Sequence, residues 1–173
     1  LANDLDKGFI SDGRDSSVTV FNLKTYAVIE KIKVTGRNPD AILYDPFSHR
    51  VFTFNGGSSN ATVIDANTDK VIGTIALEGK PEFAVSNGKG KIYVNIEDKS
   101  KVNVINPVSL KVEQQWPLAP GEEPRGLALD KEHQRLFSVC DNKLMVIMDA
   151  QSGRIISSIP IGTRVDGAAF DPE

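Results

Sequence analysis

The sequence predicts an all-β protein, because one pattern of short apolar runs and turn residues returns four times along its 173 residues. One marker recurs at spacings of 42, 43 and 41 residues: NPDAILYD (38–45), KPEFAVSN (80–87), EPRGLALD (123–130) and RVDGAAFD (164–171). A second marker recurs in the same phase at spacings of 43, 41 and 43 residues: VFNLKT (20–25), VIDANT (63–68), VINPVS (104–109) and IMDAQS (147–152). Two independent markers with one period indicate a repeated structural unit.

Each repeat contains four strand-like runs, which in the second copy are AILY (41–44), RVFTF (50–54), ATVID (61–65) and KVIGTIAL (70–77). Clusters of Asp, Pro, Ser, Asn and Gly separate them, and these residues favour turns. No segment has the apolar spacing of an amphipathic helix over ten or more residues. Four strands in about 40 to 45 residues are typical of a β-propeller blade, so we predict a propeller of four-stranded antiparallel blades.

Equivalent positions of the repeats carry similar side chains, as expected where sheets pack on both faces. The second strands share an aromatic position, occupied by Phe9, Phe52, Tyr93 and Phe137. We expect Phe52, Tyr93 and Phe137 to be buried between blades. The third strands end in an Asx residue followed by a hydroxyl residue, a pattern typical of a tight hairpin turn.

The repeats divide the chain into about four blade equivalents within one propeller domain or propeller segment, 1–173. The expected units are 1–35, which lacks its first strand, then 36–78, 79–119, 120–162, and a lone first strand at 163–173. First strands are expected near 41–44, 83–86, 126–129 and 167–170.

The lone strand is expected to complete the first blade, because exposed sheet edges invite pairing. It could do so within one chain, as a four-bladed ring, or between two chains, as a homodimer through the end blades. In a segment of a longer, seven-bladed propeller the ends would stay open instead.

Composition and charge exclude several classes of protein. Hydrophobic residues make up 40% of the chain, enough for a core, and one cysteine cannot form an internal disulfide. The net charge of −3, with no segregated basic face, argues against nucleic acid as a partner. No apolar run approaches the roughly 20 residues that span a bilayer, and no targeting signal is present, so membrane insertion is not predicted.

Catalytic and metal-binding motifs are not recognisable in the sequence. There is no G-x-S-x-G motif, and His49 and His133 both lie among charged turn residues. Two isolated histidines without Cys or carboxylate spacing do not form a zinc site, and Cys140 is expected to be a small packing residue. We therefore predict no catalytic residue, no metal ligand and no cofactor.

One set of polar positions is a candidate binding site. The first strand of a propeller blade is innermost, so the loops 36–40, 79–82, 121–125 and 162–166 should meet at the mouth of the channel. The polar side chains there are Arg37, Asp40, Lys80, Glu82, Glu123, Arg125, Arg164 and Asp166. Their mixed charges favour a zwitterionic, sugar-like or peptide ligand over a polyanion. The alternative is that they only solvate the channel mouth.

The repeats resemble those of the YVTN-repeat propeller family. IYVN (92–95), TVIDANTDKVIGTIAL (62–77) and EPRGLALD (123–130) carry the likeness, which extends over essentially the whole chain. The resemblance implies a bacterial, often exported protein, hence a periplasmic or extracellular location, and family members typically have seven blades.

The sequence favours a non-enzymatic scaffold that binds a small molecule or a protein at the channel mouth, since fold alone does not determine chemistry. The alternative is a propeller enzyme with a channel-bound site, either a lactonase-like hydrolase with a metal or a redox subunit. Asp40, Glu82 and Asp166 could supply carboxylates to a metal, but Arg125 interrupts that ring.

Overall fold

The computed structural model describes residues 1–172 and folds them into fifteen strands and two single 3-10 turns. The first six strands are β1 (Lys7–Asp12), β2 (Ser17–Asn22), β3 (Val28–Lys33), β4 (Pro39–Asp45), β5 (Arg50–Asn55) and β6 (Asn60–Asp65). The next five are β7 (Lys70–Ala76), β8 (Pro81–Ser86), β9 (Ile92–Ile96), β10 (Lys101–Asn106) and β11 (Lys111–Pro117). The last four are β12 (Pro124–Asp130), β13 (Arg135–Cys140), β14 (Leu144–Asp149) and β15 (Ile155–Pro160). The 3-10 turns are Asn3–Leu5 and Glu97–Lys99.

The strands form four antiparallel meanders, which we call blades one to four. Blade one contains β1–β3, blade two β4–β7, blade three β8–β11 and blade four β12–β15. The predicted all-β class and the four-stranded antiparallel sheets are confirmed, and so are the first strands near 41–44, 83–86 and 126–129. No helix within residues 1–172 has the length and apolar character needed to cross a bilayer.

The core lies between consecutive blades, because the sheets carry apolar side chains on the faces that meet. The inner strands β4, β8 and β12 lie side by side, and β1 lies beside β4. Separate clusters of buried side chains fill the spaces between blades one and two, two and three, and three and four. Phe52 and Tyr93 are buried there, at 0% and 1% exposure, as predicted.

The hairpins that follow the third strands have the predicted Asx turn. In blade two, Asp65 Oδ1 accepts hydrogen bonds from the backbone N–H groups of Asn67 and Thr68, at 3.0 and 2.9 Å, and from the Thr68 hydroxyl. The backbone N–H of Thr68 is the chief cause of the lowered pKa of Asp65. Asn22, Asn106 and Asp149 accept equivalent backbone bonds in the other blades.

The C-terminal segment differs from the prediction. Residues 163–172 form no strand, so the expected strand at 167–170 is wrong and the sheet of blade one keeps three strands; residue 173 lies outside the described residues. The segment passes beside β12, where an added Cβ on Gly126 would lie 2.7 Å from the backbone of Gly167 and Ala168. A strand without a neighbouring edge gains no ladder hydrogen bonds, which explains the missing strand geometry.

Phe137 is also exposed more than expected. Among the described residues no further sheet packs on this face of blade four, and Phe137 is only half-buried. Its cover is Phe170, whose ring stacks on it with centroids 5.9 Å apart and planes 11° apart. The prediction that Phe137 is buried between blades is therefore wrong for this chain.

Candidate functional site

The candidate site forms where the inner strands begin. In β4, β8 and β12 the pairing register shifts just after the first residue, Pro39, Pro81 and Pro124 respectively. Such a bulge releases the next side chain from the regular alternation of the strand and re-aims it. The first residues of these bulges are Asp40, Glu82 and Arg125, and the second are Ala41, Phe83 and Gly126.

The structure brings four of the predicted residues to one groove. Asp40, Glu82, Arg125 and Asp166 line it together with Ala41, Ile42 and Phe83, and its volume is about 430 Å³. They occupy the same position in successive repeats, so the repeat symmetry places them together. Arg125 and Asp166 also line an adjoining depression of about 330 Å³, together with Asp141, Arg164 and Val165.

Arg125 is the centre of an ion network at the groove wall. Its Nη2 lies 2.8 Å from Asp141 Oδ2, and its Nη1 lies 2.8 Å from Glu97 Oε1 and 3.6 Å from Glu82 Oε1. Lys80 joins from the other side, with Nζ 2.7 Å from Glu82 Oε1 and in contact with Glu97. Two cations therefore alternate with three carboxylates, and charge-assisted hydrogen bonds of this kind are about twice as strong as neutral ones.

The buried amide of Asn95 fixes the backbone at Arg125. Its Nδ2 donates to the carbonyl oxygens of Arg125 and Gly126, at 3.0 and 3.1 Å, and its Oδ1 accepts from the Ser138 hydroxyl. Asn95 ends the IYVN run of β9. This residue thus joins blades three and four directly beneath the groove.

The pKa values of the two glutamates in the network, Glu82 and Glu97, are shifted in opposite directions. Burial raises the pKa of Glu82, whose side chain is 15% exposed, and the neighbouring Glu97 adds to this rise. Burial also opposes ionisation of Glu97, but hydrogen bonds from Lys80 and Glu82 and the charges of Lys80 and Arg125 hold its pKa below its usual range. Glu97 is therefore the better-stabilised carboxylate of the pair.

The pKa values of the two cations, Arg125 and Lys80, are raised, and that of the third carboxylate, Asp141, is lowered. Asp141 is the main cause of the raised pKa of Arg125, and the hydrogen bond from Arg125 lowers the pKa of Asp141. Hydrogen bonds to Glu82 and Glu97 raise the pKa of Lys80. All three groups thus remain charged at neutral pH.

Glu97 and Asp141 were missed by the sequence analysis. Each follows the second strand of its blade, where the repeats of blades one and two have Gly13 and Gly56. The useful signal was the replacement of glycine by an acid at this repeat position in blades three and four.

Two groove carboxylates are left without partners. Within residues 1–172, the side chains of Asp40 and Asp166 make no hydrogen bond or ion pair, and both residues are exposed. Beside them the Phe83 side chain is 43% exposed. Since Arg125 is occupied by its own carboxylates, the unpaired charged side chains that line this groove are carboxylates; the exposed Arg164 lies in the adjoining depression.

The other predicted residues lie at or beyond the edge of the groove. Arg37 donates from Nη2 to the carbonyl oxygen of Gly57 at 2.9 Å, in the hairpin after β5. Glu123 interacts through its backbone, accepting from Asp141 N–H and donating to the Ser100 hydroxyl. Lys80 lies in the ion network, and Arg164 lines the adjoining depression.

Other reactive side chains do not converge. In the part of the chain that the structure describes, no three His, Cys, Asp or Glu side chains are arranged to hold a metal ion. His49 contacts Asp4 and Tyr44, and His133 contacts Asp130; both histidines lie in exposed turns. Burial raises the pKa of Cys140 to about 11, which keeps its thiol protonated.

A larger depression lies elsewhere on the molecule. It has a volume of about 590 Å³ and lies at the opposite end of β12, between the turn 130–133 and the segment 170–172. Its charged and titratable lining residues are Asp130, Lys131, Glu132, His133 and Asp171, and His133 is held by Asp130. The smaller groove at the channel mouth is the better candidate, because equivalent side chains of successive repeats meet there.

Comparison with known proteins shows the fold. No protein-family model matches the chain. The chain is 25% identical, over 185 residues, to "Antigen Lp49" of Leptospira interrogans serogroup Icterohaemorrhagiae serovar copenhageni (strain Fiocruz L1-130); the match covers 95% of this chain and 38% of the antigen.

Two solved structures are similar in shape at low sequence identity. "Kuenenia stuttgartiensis Hydrazine Synthase" matches with a TM-score of 0.82 and 20% identity, over 90% of this chain and 46% of that chain. "Dihydro-heme d1 dehydrogenase NirN in complex with DHE" matches with a TM-score of 0.75 and 16% identity, over 94% and 37%. Both are β-propeller proteins, and this chain spans less than half the length of each relative. The chain therefore has a β-propeller fold, while membership of the YVTN-repeat family stays a prediction.

Proposed function

We propose that this chain is a binding module whose channel-mouth groove takes a small ligand that carries an amine. The observation that supports this most is the pair of unpartnered carboxylates, Asp40 and Asp166, which line one groove with an exposed aromatic ring. An ammonium group is the natural partner for such carboxylates, and its attached carbon skeleton can contact Phe83.

The ion network supports the same proposal by making the groove rigid. Arg125 and Lys80 are held by three carboxylates, so the wall needs no rearrangement before a ligand binds. Binding sites gain affinity when their groups are ordered in advance. Arg125 is then a positioning residue for the wall, while Asp40 and Asp166 would contact the ligand.

The setting of this function is also a proposal. The resemblance to exported YVTN-repeat propellers supports a periplasmic or extracellular protein, and the likeness to a protein named as an antigen agrees with that. Both similar solved structures bear the names of enzymes, but similarity at this level of sequence identity supports only a shared fold.

The experiment compares ligands that differ only in the amine. Saturation-transfer NMR would be recorded with glucosamine against glucose, and with phenethylamine against 2-phenylethanol. We expect transfer to the amine of each pair and a decrease in transfer as salt is added, because exposed charges are screened. Equal transfer to both members of each pair, or none to either, would contradict the proposal.

Variants then locate the contact. Asp40→Asn and Asp166→Asn should each weaken amine binding by about tenfold, or about 1.4 kcal/mol, without a change in melting temperature. Glu132→Gln is the matched control, because it removes an exposed carboxylate in the turn at the opposite end of β12. If all three substitutions weaken binding equally, the groove is not the site.

A further inference from the structure

Glu82 belongs both to the ion network and to the groove. It lines the groove beside Asp40 and Asp166, whereas Asp141 of the same network lines the adjoining depression. The Glu82 side chain is 15% exposed, so a part of it is open to a molecule that enters the groove. A ligand can therefore reach the ion network through Glu82.

The network holds fewer cations than carboxyl groups. Arg125 directs Nη2 to Asp141 and Nη1 to Glu97, each at 2.8 Å, and lies farther, at 3.6 Å, from Glu82 Oε1. The Nζ atom of Lys80 is shared between Glu82 and Glu97. Two cations thus serve three carboxyl groups. Glu82 receives a share of Lys80 and the longest of the Arg125 contacts, so it is the carboxyl group with the weakest neutralisation.

Glu82 and Glu97 also interact with each other through a hydrogen bond. Two ionised carboxylates in contact repel, and a proton on one of them replaces the repulsion by a hydrogen bond. Burial and the neighbouring Glu97 raise the pKa of Glu82, whereas the hydrogen bonds to Glu97 outweigh its burial and lower its pKa. The shared proton therefore resides on Glu82, which is more than half protonated at pH 4.5, the ordinary pKa of glutamate.

The charged groups that surround Glu82 come from five parts of the chain. They are Lys80 just before β8, Glu97 in the 3-10 turn after β9, Arg125 on β12, Asp40 on β4 and Asp166 in the C-terminal segment. The first three are already engaged with one another. An ammonium group in the groove would supply the further positive charge that the carboxyl groups lack.

We propose that Glu82 is the third carboxylate that binds the ligand's ammonium group, and that it gives up its own proton in exchange. On binding, the O–H bond of the Glu82 carboxyl group breaks, the proton passes to solvent, and the carboxylate accepts a charge-assisted hydrogen bond from the ammonium. This inference rests on the proposed binding of an amine at the groove, and it adds a contact residue and a pH dependence to that site.

The direction of the pH dependence follows from reciprocity. A bound ammonium favours the ionised form of Glu82, so ionised Glu82 must favour the bound ammonium to the same degree. Binding is therefore weaker at low pH, where Glu82 is protonated, and strengthens as the pH rises through the folded pKa of Glu82. One exchanged proton changes the affinity by at most about tenfold per pH unit.

The first test compares the affinity of phenethylamine for the native protein and for Glu82→Gln between pH 8 and pH 4.5. The ligand stays an ammonium throughout, since alkylamines such as the Lys side chain have a pKa of about 10.4. We expect the native protein to bind about tenfold more tightly at pH 8, and this ratio to fall as the pH is lowered. Asp40 and Asp166 are present in both proteins, so their own titration does not alter the ratio.

Glu132→Gln is the matched control, because Glu132 is exposed and lies outside the groove; it should follow the native protein at each pH. Amine binding with the same pH dependence in the native protein and Glu82→Gln would overturn this inference and leave the proposed function standing. Absence of amine binding at every pH would overturn both.

The second test observes the proton directly. Carbon-13 NMR of protein labelled at the glutamate carboxyl carbons follows Glu82 and Glu97, whose signals are assigned from their loss in Glu82→Gln and Glu97→Gln. We expect the ligand-free Glu82 signal to titrate at higher pH than that of Glu97, and saturating phenethylamine to move the Glu82 midpoint to lower pH. The alcohol 2-phenylethanol should not move it. A Glu82 midpoint below that of Glu97, or one that phenethylamine leaves unchanged, would refute the exchange.

Discussion

At the scale of single residues, Arg125 shows why a polar rim is not always a solvated surface. Exposed charges at a channel mouth contribute little to stability, and the sequence gives no reason to treat Arg125 differently. In the structure its side chain is 27% exposed and holds Glu97 and Asp141. Removing one partner of such a cluster leaves the others partly desolvated, so alanine at 125 should destabilise the fold as well as alter the groove.

The paired glutamates give a sharper prediction. Glu97→Gln should reduce the free energy of unfolding at pH 7 by about 1 to 2 kcal/mol, because the charge held by Lys80 and Arg125 is lost. Glu82→Gln should be neutral or stabilising at pH 7, because burial disfavours its ionised form. Urea unfolding of both variants and the native protein at a series of pH values measures this.

The pH dependence follows from the two pKa directions. Glu97 has a pKa below its ordinary value of 4.5, so its contribution is present above that value and is lost as the pH falls. Glu82 has a raised pKa, so its contribution is present below 4.5 and is lost as the pH rises through its folded pKa. The difference in free energy of unfolding between Glu82→Gln and Glu97→Gln should therefore shrink from pH 7 towards pH 3. A gap that does not change with pH would mean that the network is not electrostatic.

At the scale of elements, the turn between β14 and β15 depends on one glycine. Gly153 has a φ of +74°, and an added Cβ would lie 2.3 Å from Cγ of Trp116 on the neighbouring blade. Trp116 is itself fixed by stacking on Tyr93, with ring centroids 5.9 Å apart. The indole is also 7% exposed and donates a hydrogen bond to Gln114, so a shift of the ring would disturb both contacts.

Gly153→Ala should consequently lower the free energy of unfolding by about 1 to 3 kcal/mol, from backbone strain and overpacking together. Gly162→Ala is the matched control, because nothing lies within 4 Å of its Cβ position; it should change stability by less than about 0.5 kcal/mol. Thermal unfolding of the two variants decides the matter. Equal losses would show that the blade contact at Trp116 is assigned wrongly.

The elements also show what a sequence can predict. β4, β8 and β12 were predictable because each has apolar residues on a regular pattern and a turn on either side. The segment 167–170 has the same pattern without strand geometry, because a strand also needs a neighbouring edge, which sequence periodicity does not report. Glu97 and Asp141 were missed for a related reason: they lie in loops, where only spatial proximity to Arg125 gives them a role.

At the scale of the whole molecule, the chain is an arc of repeats whose stability comes from neighbouring contacts. Each blade packs on the next, so the central blades are covered on both sides and the end blades on one.

Deletion of 164–173 tests the role of the last segment in this arc. The segment adds no strand to the chain's own sheets, and most of its residues are exposed, so the shortened protein should still unfold in one cooperative transition. Its melting temperature should fall slightly, because the stacking of Phe170 on Phe137 is lost. Calorimetry of the shortened and native proteins measures both properties. Loss of cooperative unfolding would show that these residues are needed for the stability of their own chain.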